Sequence, residues 1–447
     1  MTFPRFTIEQ SDSEFYTSQS GMALVGLALN RYTTLASRVA TAAPCQGIAT
    51  ADVLRCYIGL LCQGKSDFEA IRPFWEDDEF FAAALGVQNV PSPETLRQRM
   101  DKVAEAVRPI VNLCTVELLK KAKAALSTLD SGHMPLDLDV FTQDNSNTKK
   151  EGVSWTYRKF HGFAPIAAWL GLEGWCLEIE QRPGSQHAQE GFIPFLLRAI
   201  HKSRQLTEAP LLVRLDSAHD AIMTLVTLAG EQVDFIVKWN PRGTDVPARA
   251  SEVFAKGKMV KQDKKGRIAI MTETVERSYR DENDETRTIK VRRVLRASER
   301  YFEKDGTPLL VPDVEIEGWW TNLSVTKDKV IELYKGHALC EQYHSELKSD
   351  MDLERLPSGK FATNALVMCC ASLAYNILRA VGQVGLMGKA QARRAKQRRR
   401  IKTVIQDLIY CAARWIRHCR GLTLRFSCHA HDQAASFATT YARFAYG

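Results

Sequence analysis

The pattern of hydrophobic and polar residues divides the chain into a helical first quarter and a mixed region that follows it. Apolar residues recur every three or four positions through 52–63 and 95–119, as on the buried face of a helix. The Ser92-Pro93-Glu94 segment is typical of a helix start, with a Ser cap, a Pro at the first helical position and an acid in the first turn. We therefore predict an all-α region over 1–130.

From residue 131 onward, short apolar runs of strand length alternate with helical periodicity. The predicted elements are strands over 136–141, 163–170 and 175–181, a helix over 188–202, a strand over 211–215, a helix over 222–230 and a strand over 233–239. This is the element order of a ribonuclease-H-like sheet. We predict an α/β fold with a ribonuclease-H-like mixed sheet, whose core is formed by 131–240 and completed by 323–385.

The segment between the two parts of the predicted core has a charged, alternating pattern. Turn signals at 281–284 and 304–306 interrupt it, so 241–322 is predicted to be an inserted antiparallel β domain. Helical periodicity returns at about 327–350 and at 364–381. The last predicted domain, 386–447, is basic and helical, with its final helix over 403–418.

Composition is that of a globular protein, with 447 residues, 45% hydrophobic and 25% charged. The longest apolar stretch, 365–378, is too short and too interrupted by polar residues to span a bilayer, so we expect a soluble, cytoplasmic protein without membrane contact. The eleven cysteines form no CxxC pair, and Cys369 and Cys370 lie inside apolar helical sequence. This indicates reduced core thiols rather than a disulfide scaffold.

Positive charge is concentrated near the C-terminus. The formal net charge is +8, yet 389–425 alone carries twelve Lys and Arg against one acid, Asp407, which leaves the remainder of the chain at −3. Such a local patch indicates a polyanionic partner, with nucleic acid the first choice and a solvated basic helix the alternative. The candidate phosphate-binding residues are Arg393, Arg394, Lys396, Arg398, Arg399, Arg400 and Lys402.

Two predicted core strands carry acidic residues at or near their carboxyl ends. Asp137 and Asp139 point to the same face of the strand 136–141, because side chains alternate in a strand. Asp216 follows the strand 211–215, at the carboxyl edge where sheet-based active sites lie. Asp139 is favoured over Asp137 because it is nearer the strand end, and Asp216 has the alternative role of a simple helix cap.

A third acid lies on the helix predicted over 327–350. Tyr334, Glu341 and Lys348 follow one another at spacings of seven and share a helical face, with His337 one turn before Glu341. Glu346 is the rival to Glu341. The spacing resembles the signature of the insertion-sequence 4 superfamily of transposases: Tyr, two residues, Arg, three residues, Glu, six residues, Lys. His337 stands where that signature has Arg.

Further motifs resemble the insertion-sequence 1380 family. They are Leu136-Asp-Leu-Asp139, Arg182-Pro-Gly-Ser-Gln-His187, Leu215-Asp-Ser217, Ala374-Tyr-Asn376 and Ser92-Pro-Glu-Thr-Leu-Arg97. The resemblance implies a bacterial cut-and-paste DNA transposase with an acidic triad of Asp139, Asp216 and Glu341. Its implied partners are the terminal inverted repeats of the element, target DNA and a second copy of the chain. A transposase-derived DNA-binding protein without catalysis and a metal-dependent nuclease without strand transfer remain as alternatives.

The resemblance also implies a metal cofactor and DNA contacts. Three carboxylates suit two Mg²⁺ ions, with Mn²⁺ as a substitute, because hard cations prefer oxygen ligands and two of them can activate the attacking oxygen and stabilise the leaving oxygen. Tyr334, His337 and Lys348 would hold DNA near the cut, and Arg97 belongs to the helical end-binding region. Trp319 and Trp320 would either stack on an unpaired base or pack in a β-sheet core.

Overall fold

The computed structural model describes residues 16–281, 283–303, 305–387, 397–418 and 421–447, and they form two compact units. The first unit contains 16–122, 350–352 and the described part of 373–447; the second contains 123–349 and 353–372. Three of the predicted phosphate-binding residues, Arg393, Arg394 and Lys396, lie outside the described residues.

The helices and strands are numbered in chain order. The helices are α1 (Met22–Tyr32), α2 (Leu35–Ala42), α3 (Thr50–Cys62), α4 (Arg72–Glu76), α5 (Asp78–Leu85), α6 (Pro93–Lys121), α7 (Phe192–Arg204), α8 (Ile222–Gly230), α9 (Val246–Lys256), α10 (Lys327–Lys335), α11 (Leu339–Ser345), α12 (Phe361–Leu386), α13 (Ile401–Val404) and α14 (His431–Tyr446). The strands are β1 (Met134–Val140), β2 (Gln143–Asp144), β3 (Ser154–Trp155), β4 (His161–Phe163), β5 (Ile166–Leu170), β6 (Trp175–Glu180), β7 (Leu211–Leu215), β8 (Asp234–Lys238), β9 (Lys258–Asp263), β10 (Gly266–Arg280), β11 (Thr286–Phe302), β12 (Pro308–Thr321), β13 (Ala413–His418) and β14 (Gly421–Phe426).

The first unit is helical from Met22 to Lys121, as the sequence pattern predicts. Its longest helix, α6, begins as expected: Ser92 is the cap, its hydroxyl accepts a hydrogen bond from the Thr95 backbone N–H at 3.2 Å, and Pro93 is the first helical residue. Helix α3 is buried along its whole length, which makes it the centre of this helical core.

The C-terminal region differs from its prediction. The helix predicted over 403–418 is wrong, because α13 continues only as one π-helical turn to Ile409, and Ala413 to His418 then pair as β13 with the antiparallel strand β14. Aromatic and β-branched residues such as Trp415 and Ile416 favour a strand, and β14 alternates apolar and polar residues. The region is therefore a mixture of helix and hairpin.

The second unit is built on a nine-stranded mixed sheet in the order β6-β5-β1-β7-β8-β12-β11-β10-β9. The strands β1, β7 and β8 are mutually parallel, whereas β5, β6 and β9 to β12 run antiparallel to their neighbours. The predicted strands and helices of 131–240 are all present, although α7 begins at Phe192 rather than at 188. The α/β class with a large mixed sheet is thus confirmed.

The segment 241–322 does not form a separate β domain. Its last strand, β12, pairs antiparallel with the core strand β8, so the four added strands continue the same sheet. One apolar cluster crosses this junction; it consists of Leu212, Ile236, Ile270, Val294, Trp319, Leu323, Val330 and Leu333. Because core and inserted strands share a hydrophobic core, charge alternation in β10 and β11 marks an exposed extension of the sheet and not an independent fold.

Helix α12 is long and apolar enough, by length and composition, to cross a membrane. Its apolar stretch is entirely buried inside the protein, which is typical of the core helix of a folded domain. It was the only such helix found among the described residues.

Candidate active site

The register of β1 and β7 places acidic residues of the two strands side by side. The two strands are parallel, Asp137 lies opposite Arg214, and Leu138 opposite Leu215 is the last registered pair. Directly after that pair, Asp139 and Asp216 occupy neighbouring positions on the two strands, which lie about 4.8 Å apart. Because side chains alternate along a strand, both acids lie on the same face of the sheet as Asp137. The fold therefore brings together two carboxylates that are 77 residues apart in the sequence.

Asp137 is fully engaged by its neighbours. Arg214 donates from Nε to Oδ1 at 2.7 Å and from Nη2 to Oδ2 at 2.5 Å, and His337 donates from Nδ1 to Oδ1 at 3.0 Å. Burial alone would raise the pKa of Asp137, but the Arg214 charge and the His337 hydrogen bond hold it below its usual value. Asp137 is thus a buried anchor for Arg214 and His337, and this favours Asp139 as the carboxylate that faces the cavity.

Arg214 also contacts the signature helix where its regular form is interrupted. Its Nη1 donates to the Leu333 carbonyl at 2.8 Å, and that carbonyl would otherwise accept a bond from the fourth residue on, His337. A Cβ at Gly336 would lie 2.4 Å from the same nitrogen, so a larger residue there would displace the Arg214 guanidinium. The helix predicted as continuous is accordingly interrupted by a 3₁₀ turn at Gly336–Ala338 and ends in a π-helical turn at Glu346–Asp350.

A cavity of about 1170 Å³ opens beside the ends of β1 and β7. Asp139, Asp216 and Glu341 all line it, together with Lys348. Glu346 is buried, with 2% of its surface exposed, and is not part of the lining, so the geometry favours Glu341 over its rival. Asp216 also caps the following turn, accepting from the Ala218 N–H at 3.2 Å. Its side chain is 40% exposed, so capping leaves it accessible from the cavity.

Burial disfavours the ionised forms of two carboxyl groups on this cavity, those of Asp139 and Asp216. Burial raises the pKa of Asp139 to about 7; the nearby Asp216 carboxylate adds to the rise, and His337 opposes it. The pKa of Asp216 is raised in the same direction, again chiefly by burial. A cation bound between these two neighbouring carboxyl groups would stabilise their ionised forms.

His337 takes up a different role from the Arg of the family signature. Burial would lower the pKa of His337, but its hydrogen bond to Asp137 and the charges of Asp137 and Asp139 outweigh burial and raise it. Its Nε2 is buried and has no hydrogen-bond partner within the described part of the chain. Tyr334 lies against it, with the ring centroids 5.5 Å apart. This imidazole binds the protein's own carboxylate and does not offer the charged fork of an arginine.

The donor sets near the cavity differ in how well they suit a metal ion. Asp139, Asp216 and Glu341 offer only oxygen, the ligand that Mg²⁺ and Mn²⁺ prefer. A second group, Asp137, His337 and Cys340, has ligand atoms within 4.8 Å of one another. Both oxygens of Asp137 are already bound by Arg214, whose positive charge would repel a cation. Among the described residues the triad oxygens do not form a group as close as the second one, so the triad suits a divalent cation by its donor type, whereas the second group has its carboxylate occupied by Arg214.

Several residues of the site were not identified from the sequence. His344 lies 3.8 Å from Asp139 and stacks on Phe141, and Arg214 organises both Asp137 and the helix. The cavity mouth carries Trp155 and Tyr157, with 55% and 60% of their surfaces exposed. Exposed aromatic residues in a segment with four basic residues between 149 and 159 were a signal that sequence reading could have used.

The two tryptophans predicted to face either DNA or the core are both buried, each 3% exposed. Trp319 belongs to the apolar cluster that joins the inserted strands to the core. Trp320 lies on the opposite face, with the guanidinium of Arg277 5.1 Å and that of Arg293 4.8 Å from its ring centre. This arrangement, one Trp on each face of β12, favours packing over base stacking.

The predicted basic DNA contacts outside the cavity, Arg97 and the described part of the basic segment, lie in the first unit. Arg97 is exposed on α6, and Lys402 is exposed on α13. Arg400 is ion-paired with Asp350, at 2.8 Å, and Arg399 donates to the Leu386 carbonyl at 3.3 Å. Arg398 is half-buried. Part of the basic segment is thus bound within the unit. On the helix of the second unit, Lys348 pairs with Glu354 at 2.9 Å at the edge of the cavity.

Comparison with known proteins gives a family match over nearly the whole chain. Residues 17–445 match the family model described as Transposase DDE domain group 1. No curated protein matches. Seven chains of solved structures match, among them the piggyBac transposase in a synaptic complex with hairpin DNA. That chain is 10% identical; the alignment covers 88% of this chain and 80% of that chain, with a TM-score of 0.39.

Proposed function

Because this chain belongs to the transposase DDE domain group 1 family, we propose that it is a cut-and-paste transposase that cleaves and joins DNA with Asp139, Asp216 and Glu341. We propose further that its core is ribonuclease-H-like, that it belongs to the insertion-sequence 1380 family, and that it acts in the bacterial cytoplasm as a homodimer on the terminal inverted repeats of its element and on target DNA.

One observation carries the assignment of the triad. Asp139, Asp216 and Glu341 line a single cavity, while the neighbouring acids are committed elsewhere: Asp137 to Arg214 and His337, and Glu346 to the buried side of the helix. The residues come from β1, from the end of β7 and from α11, which are rigid elements that fix their relative positions.

The proposed chemistry divides between the metal and the chain. When bound, two Mg²⁺ ions would activate the attacking oxygen and stabilise the leaving oxygen of the phosphodiester. The three carboxylates would hold the ions, and Arg214 and His337 would keep Asp137 from competing for them. Lys348, at the cavity edge, would contact a phosphate oxygen after exchanging its bond to Glu354. Tyr334 supports His337 by ring contact and keeps its hydroxyl protonated, because burial and the nearby Asp216 raise its pKa.

DNA is proposed to approach over the cavity mouth. Trp155 is exposed beside the cavity and is not stacked face to face on His161, since their rings are inclined at 71°, and it would offer a ring face to a base. Arg158 and Arg242 line the same cavity and would meet the backbone. Arg97, Lys402 and Arg398 are proposed to contact DNA phosphates farther along the chain. Trp319 and Trp320 are proposed as core residues.

The Trp155→Ala variant is expected to bind a terminal-repeat duplex with an unpaired nucleotide at the cleavage site about tenfold more weakly, because one base–aromatic stack contributes about 1–3 kcal/mol. Fluorescence anisotropy with a labelled duplex measures the affinity. Trp155→Phe is the matched control, since it keeps an aromatic face and should retain most of the affinity. Equal binding by the native chain and the Ala variant would remove Trp155 from the DNA surface.

The function itself is tested with a labelled duplex that carries the element's own terminal repeat. The native chain with Mg²⁺ is expected to cut at the repeat boundary and, when given pre-cut ends and a supercoiled plasmid, to join them to the plasmid; without Mg²⁺ or with excess chelator, neither product should form. Cutting without joining would favour a nuclease. Binding without cutting would favour a DNA-binding protein descended from a transposase.

A further inference from the structure

Three side chains form a line that ends at the first triad carboxylate. The indole Nε1–H of Trp169, in β5, donates to Nε2 of His344, in α11, at 3.3 Å. On the other side of the same ring, Nδ1 of His344 lies 3.8 Å from Oδ2 of Asp139. The His344 ring is buried and stacks on Phe141 with a centroid separation of 4.4 Å, so the ring is held in its plane.

The first contact of this line determines where the His344 proton is. An indole nitrogen can only donate a hydrogen bond, so Nε2 of His344 must accept with its lone pair. In a neutral imidazole one nitrogen donates and the other accepts, and the proton is therefore on Nδ1. The group that points toward Asp139 is thus an N–H donor.

We propose that His344 is a positioning residue that donates from Nδ1 to Asp139 and turns this carboxylate toward the cavity. The inference rests on the proposed function, in which Asp139 holds a metal ion. At 3.8 Å the contact is longer than a hydrogen bond, and catalytic hydrogen bonds are often long before the ligand binds. A small rotation of the carboxylate would close the distance, and outer partners of this kind commonly orient metal-ligating groups.

A purely structural histidine would not need this arrangement. His219 offers the comparison: it is buried, stacks on Phe192 at 4.0 Å and lies 3.8 Å from the second triad carboxylate, Asp216. Neither ring nitrogen of His219 has a hydrogen-bond partner within the described residues, so nothing there fixes its proton. His344 differs because Trp169 selects one tautomer, and that tautomer presents a donor to the carboxylate.

The experiment measures Mn²⁺ binding to the full-length chain without DNA, from the loss of the free-ion signal in electron paramagnetic resonance. The His344→Phe variant keeps a ring that can stack on Phe141 but has no donor, and its Kd for Mn²⁺ should rise about tenfold or more, as for other outer-shell changes. His344→Asn carries an amide N–H near the position of Nδ1 and should bind Mn²⁺ more tightly than His344→Phe does. Trp169→Phe, which frees the tautomer, should fall between the native chain and His344→Phe.

Two controls separate this inference from the function on which it depends. Asp139→Asn must weaken Mn²⁺ binding; if it does not, Asp139 holds no metal and the proposed function fails. If Asp139→Asn weakens binding but His344→Phe binds Mn²⁺ like the native chain, the positioning role is overturned while the function stands. The role is also overturned if His344→Asn binds as weakly as His344→Phe while both keep the native unfolding temperature.

Discussion

The Asp139→Asn variant is expected to lose DNA cleavage by about three orders of magnitude or more while it still binds the terminal repeat. A metal site supplies several kcal/mol of transition-state stabilisation, and each 1.36 kcal/mol corresponds to a factor of ten in rate. Asp216→Asn and Glu341→Gln should behave alike, because all three carboxylates line one cavity. Cleavage of a labelled duplex gives the rate, and a gel-shift assay gives the binding.

Glu346→Gln is the matched control for the triad variants. It changes a carboxylate five residues from Glu341, on the same helix, but its side chain is buried and not part of the cavity lining. The folded Glu346→Gln variant should cleave the duplex at a rate close to that of the native chain. Loss of cleavage in Glu346→Gln together with an active Glu341→Gln variant would show that the wrong glutamate has been assigned.

Asp137→Asn is expected to destabilise the protein by about 3–5 kcal/mol, which is the usual cost of removing one partner of a buried ion pair. Arg214, with a side chain only 1% exposed, would keep its charge and lose its bidentate partner. His337 would lose its carboxylate acceptor as well. Unfolding by denaturant, followed by far-ultraviolet circular dichroism, measures the change in free energy.

An exposed ion pair of the same unit provides the control for this prediction. Lys290 pairs with Glu276 at 2.8 Å, with side chains 71% and 61% exposed, so Lys290→Met should cost at most about 1 kcal/mol. If Asp137→Asn were as stable as the native chain but inactive and unable to bind Mn²⁺, Asp137 would be a metal ligand and its anchoring role would be wrong.

Periodicity and strand alternation were sufficient to predict most of the core. The strands of 131–240 and their order follow from apolar runs bounded by turns, and the α6 start follows from local capping chemistry. The alternation in 136–141 placed Asp137 and Asp139 on one face. It could not separate their roles, because that distinction depends on Arg214, which contacts Asp137 in the fold but is 77 residues away in the sequence.

The errors have a common physical origin in contacts between segments that are distant in sequence. A continuous helix over 327–350 satisfied the spacing of the signature, but the helix is interrupted at Gly336–Ala338, next to the Leu333 carbonyl that accepts from Arg214. The inserted strands were predicted as a domain because their charge pattern is that of an exposed sheet; the pairing of β12 with β8 carries no local signal. His344 was overlooked because its significance comes from Trp169 and Asp139.

The continuity of the sheet across the inserted strands has a consequence for how such proteins could be recombined. Since β12 pairs with β8, and β8 lies beside β7, the strand that leads to Asp216 is joined through β8 to the inserted strands. Deleting 241–322 would leave one edge of β8 without a paired strand and would expose the apolar cluster that contains Trp319. The inserted strands therefore cannot be exchanged between related proteins on their own. An exchange has to include β8 and the residues that pack against it.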